Sequence, residues 1–238
     1  MTERPTLVCF HHAGGAASVF RTWKQEADLP VHAVQLPGRE SRIGEPRHTT
    51  LTTLVDSLLP ELADVLAGPH VLFGHSMGAL VAHALTRRRL ALGLRPPLAL
   101  LVAAYVAPHE EPIRLALERM TDLELATTLC DIDGLHPEFL KRPEWLGPLL
   151  ATVKDDLRVC ASHHHGPTAP LPVPIHAFGG TDDPLVAPAK LVSWEAHTTA
   201  EFGLTWVPGG HFMVTAKDST LREDVFALTR RFAGAPVG

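Results

Sequence analysis

At 238 residues, 45% of them hydrophobic, the chain can bury one substantial core but is short for two full domains. A formal net charge of -5 supplies no global basic field, which argues against a nucleic-acid or anionic-membrane partner. Three cysteines, Cys9, Cys130 and Cys160, cannot all pair within one chain and lie too far apart for a zinc or redox motif, so they are expected to be reduced.

The first five residues are polar, and the apolar run after them is only a strand long, unlike a signal peptide. No apolar run approaches the roughly 20 residues that a spanning helix needs, so a soluble cytoplasmic protein is expected. In chain order, residues 6–10 read as a strand, 13–17 as a glycine-containing loop, and Ser18 begins a helix. A second strand is expected over 31–36, stopped by Pro37 and Gly38 and followed by an arginine-containing loop. Leu51, Leu54, Val55, Leu58, Leu62, Val65 and Leu66 then recur at helical spacing. Residues 71–73 form a strand, 74–78 a tight turn and 79–92 a helix, and 98–106 is an apolar run suited to a strand buried on both faces.

Over about 108–170 the alternation lapses into short helical pieces, broken at Asp133-Gly134, Pro137, Pro143 and Pro148, which is expected to be an inserted lid. A strand over 175–179, a helix over 188–197, a strand over 204–207 and a helix over 218–232 resume the pattern. Such alternation implies one α/β domain over residues 1–238, with a mostly parallel central sheet and helices on both faces.

Gly74-His75-Ser76-Met77-Gly78 fits Gly-x-Ser-x-Gly and lies between a predicted strand and a predicted helix, the context of a nucleophile elbow. The α/β-hydrolase fold is therefore expected, with Ser76 as nucleophile and the Met77 amide facing a developing oxyanion. That fold orders its partners serine, acid, histidine along the chain. His211, in Pro208-Gly209-Gly210-His211-Phe212, follows the last predicted strand and is the candidate base. Two aspartates compete for the acid; Asp183 is favoured by its spacing from Gly180 and by Val186 after it, with Asp182 as rival. The second oxyanion donor should come from the loop after the first strand, where the Ala13 amide is the best-placed candidate.

No metal is expected. His11 and His12 have no acid or cysteine at ligand spacing, and the consecutive His163, His164 and His165 point different ways in an extended loop. Asp155-Asp156, within a predicted lid helix, reads as a solvated face.

Several blocks together resemble the stand-alone type II thioesterases of modular polyketide synthases and nonribosomal peptide synthetases. They are residues 10–15, Gln35-Leu36-Pro37-Gly38-Arg39-Glu40-Ser41-Arg42 with Glu45-Pro46, residues 73–79, Ala107-Pro108-His109 and residues 208–212. The block around Pro37 is the most specific. The resemblance implies hydrolysis of acyl thioesters from the phosphopantetheine arm of an acyl or peptidyl carrier protein, clearing aberrant or stalled chains, by a monomer that uses no cofactor. It places the triad on Ser76, Asp183 and His211, with oxyanion donors at Met77 and Ala13. The chain departs from the family in having His11 where proline is common, and Cys160 to His165 where a tyrosine is common.

Leu115, Leu117, Met120, Leu123, Leu125, Leu129, Phe139, Trp145, Leu146, Leu149 and Leu150 would offer the acyl chain an apolar surface, most of them simply packing. An acidic carrier facing a negative enzyme calls for a local basic rim, for which Arg39, Arg42, Arg47, Lys141, Arg142, Lys154 and Arg158 are candidates. The elbow alone would equally suit a general carboxylesterase or lipase, and a non-catalytic binding module would be expected to lose a triad position.

Overall fold

The computed structural model describes residues 4–111, 119–166 and 168–234. Its elements run β1 (Thr6–Phe10), α1 (Arg21–Glu26), β2 (Val31–Ala33), α2 (Leu51–Glu61), β3 (His70–His75), α3 (Met77–Ala91), β4 (Leu100–Ala103), α4 (Asp122–Asp131), α5 (Pro143–Ala161), β5 (Ile175–Gly180), α6 (Pro188–Val192), β6 (Phe202–Val207) and α7 (Leu221–Gly234). The strands form one sheet in the order β2-β1-β3-β4-β5-β6, every neighbouring pair parallel. The succession reverses direction about β1 and β3, and open parallel sheets bind ligands outside the carboxyl ends of strands at such a switch point. Among the described residues no helix is long and apolar enough to cross a membrane.

Because strand side chains alternate faces, each central strand feeds two cores. Val8, Phe10, Leu72, Leu100, Val102, Ile175 and Ala177 join Leu54, Leu58, Leu80, Val159 and Trp194 on the face of α2, α3, α5 and α6. Leu7, Cys9, Val71, Phe73, Leu101 and Phe178 join Phe20, Trp23, Val225 and Phe232 on the face of α1 and α7. A fully buried leucine or phenylalanine in these layers contributes about 1.5–3 kcal/mol relative to an exposed one. This is the α/β-hydrolase architecture. The three cysteines are free.

Several elements end earlier or run longer than their sequence predicts. The second strand stops at Ala33, although Val34 still donates its amide to the Cys9 carbonyl. Gln35 then leaves the sheet, its side chain accepting from Ala17 and donating to the carbonyl of Arg39. The apolar run over 98–106 is strand only from Leu100 to Ala103. Ala104 takes a positive φ of 54°, and Tyr105 to Ala107 continue as buried loop. The Trp194 indole supplies that loop's Tyr105 carbonyl with a partner (2.9 Å). The second helix ends at Glu61, one residue after Pro60, and continues as turns.

The region between β4 and β5 is more regular than expected. Pro143 opens α5 rather than breaking it, since a proline at the first helical position forgoes an amide that needs no partner. Pro148 lies within the same 19-residue helix, near its exposed start. α4 and the first half of α5 share a small core of Leu125, Ala126, Leu146 and Leu150, flanked by Met120, Leu129 and Phe139. Leu123, Trp145 and Leu149 are exposed, while Leu115 and Leu117 lie outside the described residues. The second half of α5 belongs to the main core through Val159 and Cys160.

Five histidines are nearly inaccessible, and burial lowers the pKa of His11, His70 and His197 to about 4, of His75 to about 3 and of His83 well below its ordinary value. About one pH unit above 6.5 and beyond, neither folded nor unfolded chain charges these groups appreciably. As pH falls from 6.5 toward 4 the unfolded chain takes up protons that the folded one refuses, costing about 1.4 kcal/mol per pH unit for each group. Tm is therefore expected to be nearly level between pH 8 and 7 and to fall steeply between pH 6 and 5. A Tm unchanged down to pH 4.5 would show that these rings are not buried neutral.

Candidate active site

β3 ends at His75 and α3 begins at Met77, so Ser76 alone makes the turn, at φ 54° and ψ -121°. A non-glycine residue holds such a conformation only where its surroundings enforce it. Here the Ser76 amide donates to the Ala103 carbonyl (2.8 Å), and the Ala79 amide donates to the Ser76 carbonyl (2.8 Å). Two glycines permit the packing: a Cβ on Gly74 would strike the Gly78 backbone, and one on Gly78 would strike the Phe10 carbonyl. The same close approach sets the start of α3 beside the end of β1.

His211 comes to Ser76 on the loop after β6, and Asp183 on the loop after β5. The carboxylate can only accept, so His211 Nδ1–H donates to Asp183 Oδ2 (2.9 Å), and Nε2 is left to accept from Ser76 Oγ–H (3.0 Å). The His211 and Asp183 side chains are 6% and 1% exposed, whereas Ser76 remains partly accessible. The other Asp183 oxygen accepts from the Leu185 amide (2.8 Å), which fixes the carboxylate plane. Asp182 is exposed and, among the described contacts, its carboxylate accepts only from Thr181 Oγ1 (2.8 Å), so the structure brings Asp183 and not its rival to the imidazole.

The imidazole's loop is held from behind. His75 Nε2–H donates to the His211 carbonyl (2.7 Å), and His12, His75, His211 and Phe212 pack ring against ring. Burial pushes the pKa of His12 and His75 down, keeping both neutral, so no second cation opposes the charge His211 must take up.

The Met77 amide is the first of α3, one of the helix-start donors without an intrahelical acceptor. In the glycine loop, Gly15 N–H donates to the His12 carbonyl (3.0 Å), closing a turn whose third residue, Gly14, has φ 76°. Gly14 N–H donates to Asp156 Oδ2 (2.8 Å). Both glycine amides are thus engaged, which leaves the Ala13 amide as that loop's candidate donor.

Asp156 was expected on a solvated face, and the structure corrects this. It is 2% exposed and accepts from both terminal guanidinium nitrogens of Arg39, Nη1 to Oδ2 (2.6 Å) and Nη2 to Oδ1 (2.8 Å). Arg39 Nη1 also donates to the Gly15 carbonyl (3.2 Å). The available signal was a charge flanking the apolar stripe of α5, between Val153 and Val159.

Of the residues expected to form a basic rim, Arg39 is ruled out by its burial and the other six lie beside carboxylates. Arg39 is buried; Arg42 pairs with Glu45 and Glu61, Arg47 and Arg158 with Asp155, Lys154 with Asp122, Lys141 with Glu138, and Arg142 approaches Glu144 at 3.9 Å. Each of these seven side chains thus has an acidic neighbour within the chain, Asp155 serving both Arg47 and Arg158. His163 bonds the Pro108 carbonyl (2.9 Å) and packs edge-to-face on His165, and no group of metal-ligating side chains converges among the described residues.

Residues 5–229 match the Thioesterase domain family. Linear gramicidin dehydrogenase LgrE of Brevibacillus parabrevis is 32% identical over 221 residues, which cover 90% of this chain and 84% of that protein. RedJ, a thioesterase from the prodiginine biosynthetic pathway of Streptomyces coelicolor, superposes with a TM-score of 0.87 at 31% identity, over 96% of this chain and 90% of its own. BorB, a type II thioesterase from the borrelidin biosynthetic cluster, superposes with a TM-score of 0.83 at 31% identity, over 98% of this chain and 94% of its own.

Proposed function

We infer the function from one premise: this chain belongs to the thioesterase domain family. Its reaction is hydrolysis of an acyl thioester carried on the phosphopantetheine arm of an acyl or peptidyl carrier protein, removing aberrant or stalled acyl groups. The observation that carries this reading is the unbroken relay from Ser76 through His211 to Asp183, at 3.0 and 2.9 Å, on a strained strand-to-helix turn.

Each step follows from that geometry. Ser76 Oγ attacks the acyl carbonyl as its proton passes to His211 Nε2, and the resulting oxyanion is held by the amides of Met77 and Ala13. The C–S bond breaks and the thiolate, with a reference pKa of about 8.5, leaves far more readily than an alkoxide; His211 returns the proton to it. A water then gives its proton to His211 and attacks the acyl-enzyme, releasing the carboxylic acid and restoring Ser76. Asp183 fixes the tautomer that lets Nε2 accept and stabilises the transient imidazolium. The helical region between β4 and β5 serves as the lid over the acyl chain, within a single catalytic domain. The redox activity in the name of the Brevibacillus relative is not carried over, because a hydrogen-bonded serine, histidine and carboxylate move an acyl group and a proton rather than a hydride.

Asp183→Asn is expected to lower kcat about 10³–10⁴-fold by stabilising the wrong imidazole tautomer. Asp182→Asn should stay near wild type, and a larger loss at Asp182 would reassign the acid. The carrier reading is tested by comparing kcat/KM for acyl groups on a carrier protein, on N-acetylcysteamine and in p-nitrophenyl esters. A preference for the carrier-bound thioester supports it, and turnover of the esters alone would favour a general esterase.

A further inference from the structure

The glycine loop and α5 are pressed together more closely than a covering helix requires. A Cβ on Gly14 would strike the Val153 side chain of α5, and three residues further along α5 Asp156 captures the Gly14 amide (2.8 Å). The turn closed by Gly15 N–H on the His12 carbonyl exposes two amides, those of Ala13 and Gly14. Asp156 occupies the second, and Arg39 holds both Asp156 and the carbonyl of Gly15, so the turn is gripped at its amide and at its far end.

We propose that Asp156 is a positioning residue for acyl transfer. By binding the Gly14 amide it fixes the Ala13–Gly14 peptide plane and so aims the neighbouring Ala13 amide at the oxyanion, while Arg39 cancels a carboxylate charge that would otherwise oppose that oxyanion. A helix of the region between β4 and β5 thereby completes the active site of the core. The proposal rests on the reading of Ala13 as an oxyanion donor. It gives Arg39, in the block most specific to the family resemblance, a reason to be arginine: only a planar fork grips both carboxylate oxygens and a carbonyl at once.

Two double variants separate positioning from simple stabilisation. Arg39→Met/Asp156→Asn and Arg39→Met/Asp156→Leu both remove the buried ion pair, and only the first keeps an acceptor for the Gly14 amide. Loss of a whole oxyanion donor costs about 10²–10³ in kcat, so a misaimed one in the leucine variant is expected to cost about 10–100-fold. KM should change little, and affinity for a boronic acid that forms a tetrahedral adduct on Ser76 should fall in parallel. The asparagine variant should recover most of that loss at a similar Tm. If the leucine variant does not fold, Arg39→Met/Asp156→Ala makes the same comparison. Equal kcat in the two variants, or a loss confined to KM, would overturn the proposal. Running both on p-nitrophenyl esters and on acyl-carrier thioesters keeps it distinct from the substrate assignment: an oxyanion effect appears on esters even if no carrier is discharged.

Discussion

Replacing Ser76 with alanine is expected to reduce acyl turnover by about 10⁴–10⁶-fold and to leave the fold intact, because no other group in the relay can form the acyl-enzyme. His211 would still lie in place, held by Asp183 and by His75 on its carbonyl, but its Nε2 would have no hydroxyl to deprotonate. Residual rate would come only from the oxyanion amides and binding. Stability should hold, since alanine suffers the same positive φ as serine and the contacts that enforce the turn are backbone contacts of Gly74, Gly78, Ala79 and Ala103. The check is hydrolysis of a p-nitrophenyl ester beside a thermal melt. Retention of more than about a hundredth of the activity in a folded variant would remove Ser76 as nucleophile.

The largest effect on stability is expected at Arg39. The Arg39 and Asp156 side chains are only 8% and 2% exposed, so Arg39→Met leaves a carboxylate buried against one amide with no counter-charge. Breaking a buried pair from one side costs about 3–5 kcal/mol. At about 2–4 °C per kcal/mol for a chain of this size, Tm should fall by about 6–20 °C. Arg88→Met is the control: Arg88 pairs with Asp56 at 3.0 Å, but both side chains are about half exposed, and such a pair is worth about 1 kcal/mol at most. A Tm shift at Arg39 no larger than at Arg88 would mean that water reaches the carboxylate. Removing both charges together, as in Arg39→Met/Asp156→Asn, should restore much of the loss, since neutral side chains of similar volume replace such pairs at little cost.

What could be read from the sequence was local. A tight turn between an apolar strand and a helix is written in five consecutive residues, so Ser76 stood out, and the chain order of the fold then pointed to His211. The choice between Asp182 and Asp183 was harder because adjacent residues in a loop differ only in direction. That direction is set by the Leu185 amide on Asp183 and by Thr181 on Asp182, neither of which spacing reveals. The ends of β2 and β4 were overrun because hydrophobic runs mark burial, and Val34, Leu36, Tyr105 and Val106 are buried without belonging to the sheet. Asp156 was misread for the opposite reason: the partner that lets it be buried lies 117 residues earlier, and no local pattern discloses it. Arg47 and Lys154 likewise find Asp155 and Asp122 far away in the chain, whereas Arg42, Lys141 and Arg158 meet Glu45, Glu138 and Asp155 only three residues away, a spacing the sequence does show.

The central claim is that Ser76 takes an acyl group from a carrier-bound thioester and gives it to water. Intact-mass measurement of acyl-loaded carrier proteins incubated with wild type and with Ser76→Ala tests it most directly. The carrier should lose the acyl mass with wild type and keep it with the variant, with holo-carrier and free acid as the products. Discharge by Ser76→Ala, or no discharge by a wild-type enzyme that still hydrolyses p-nitrophenyl esters, would contradict it.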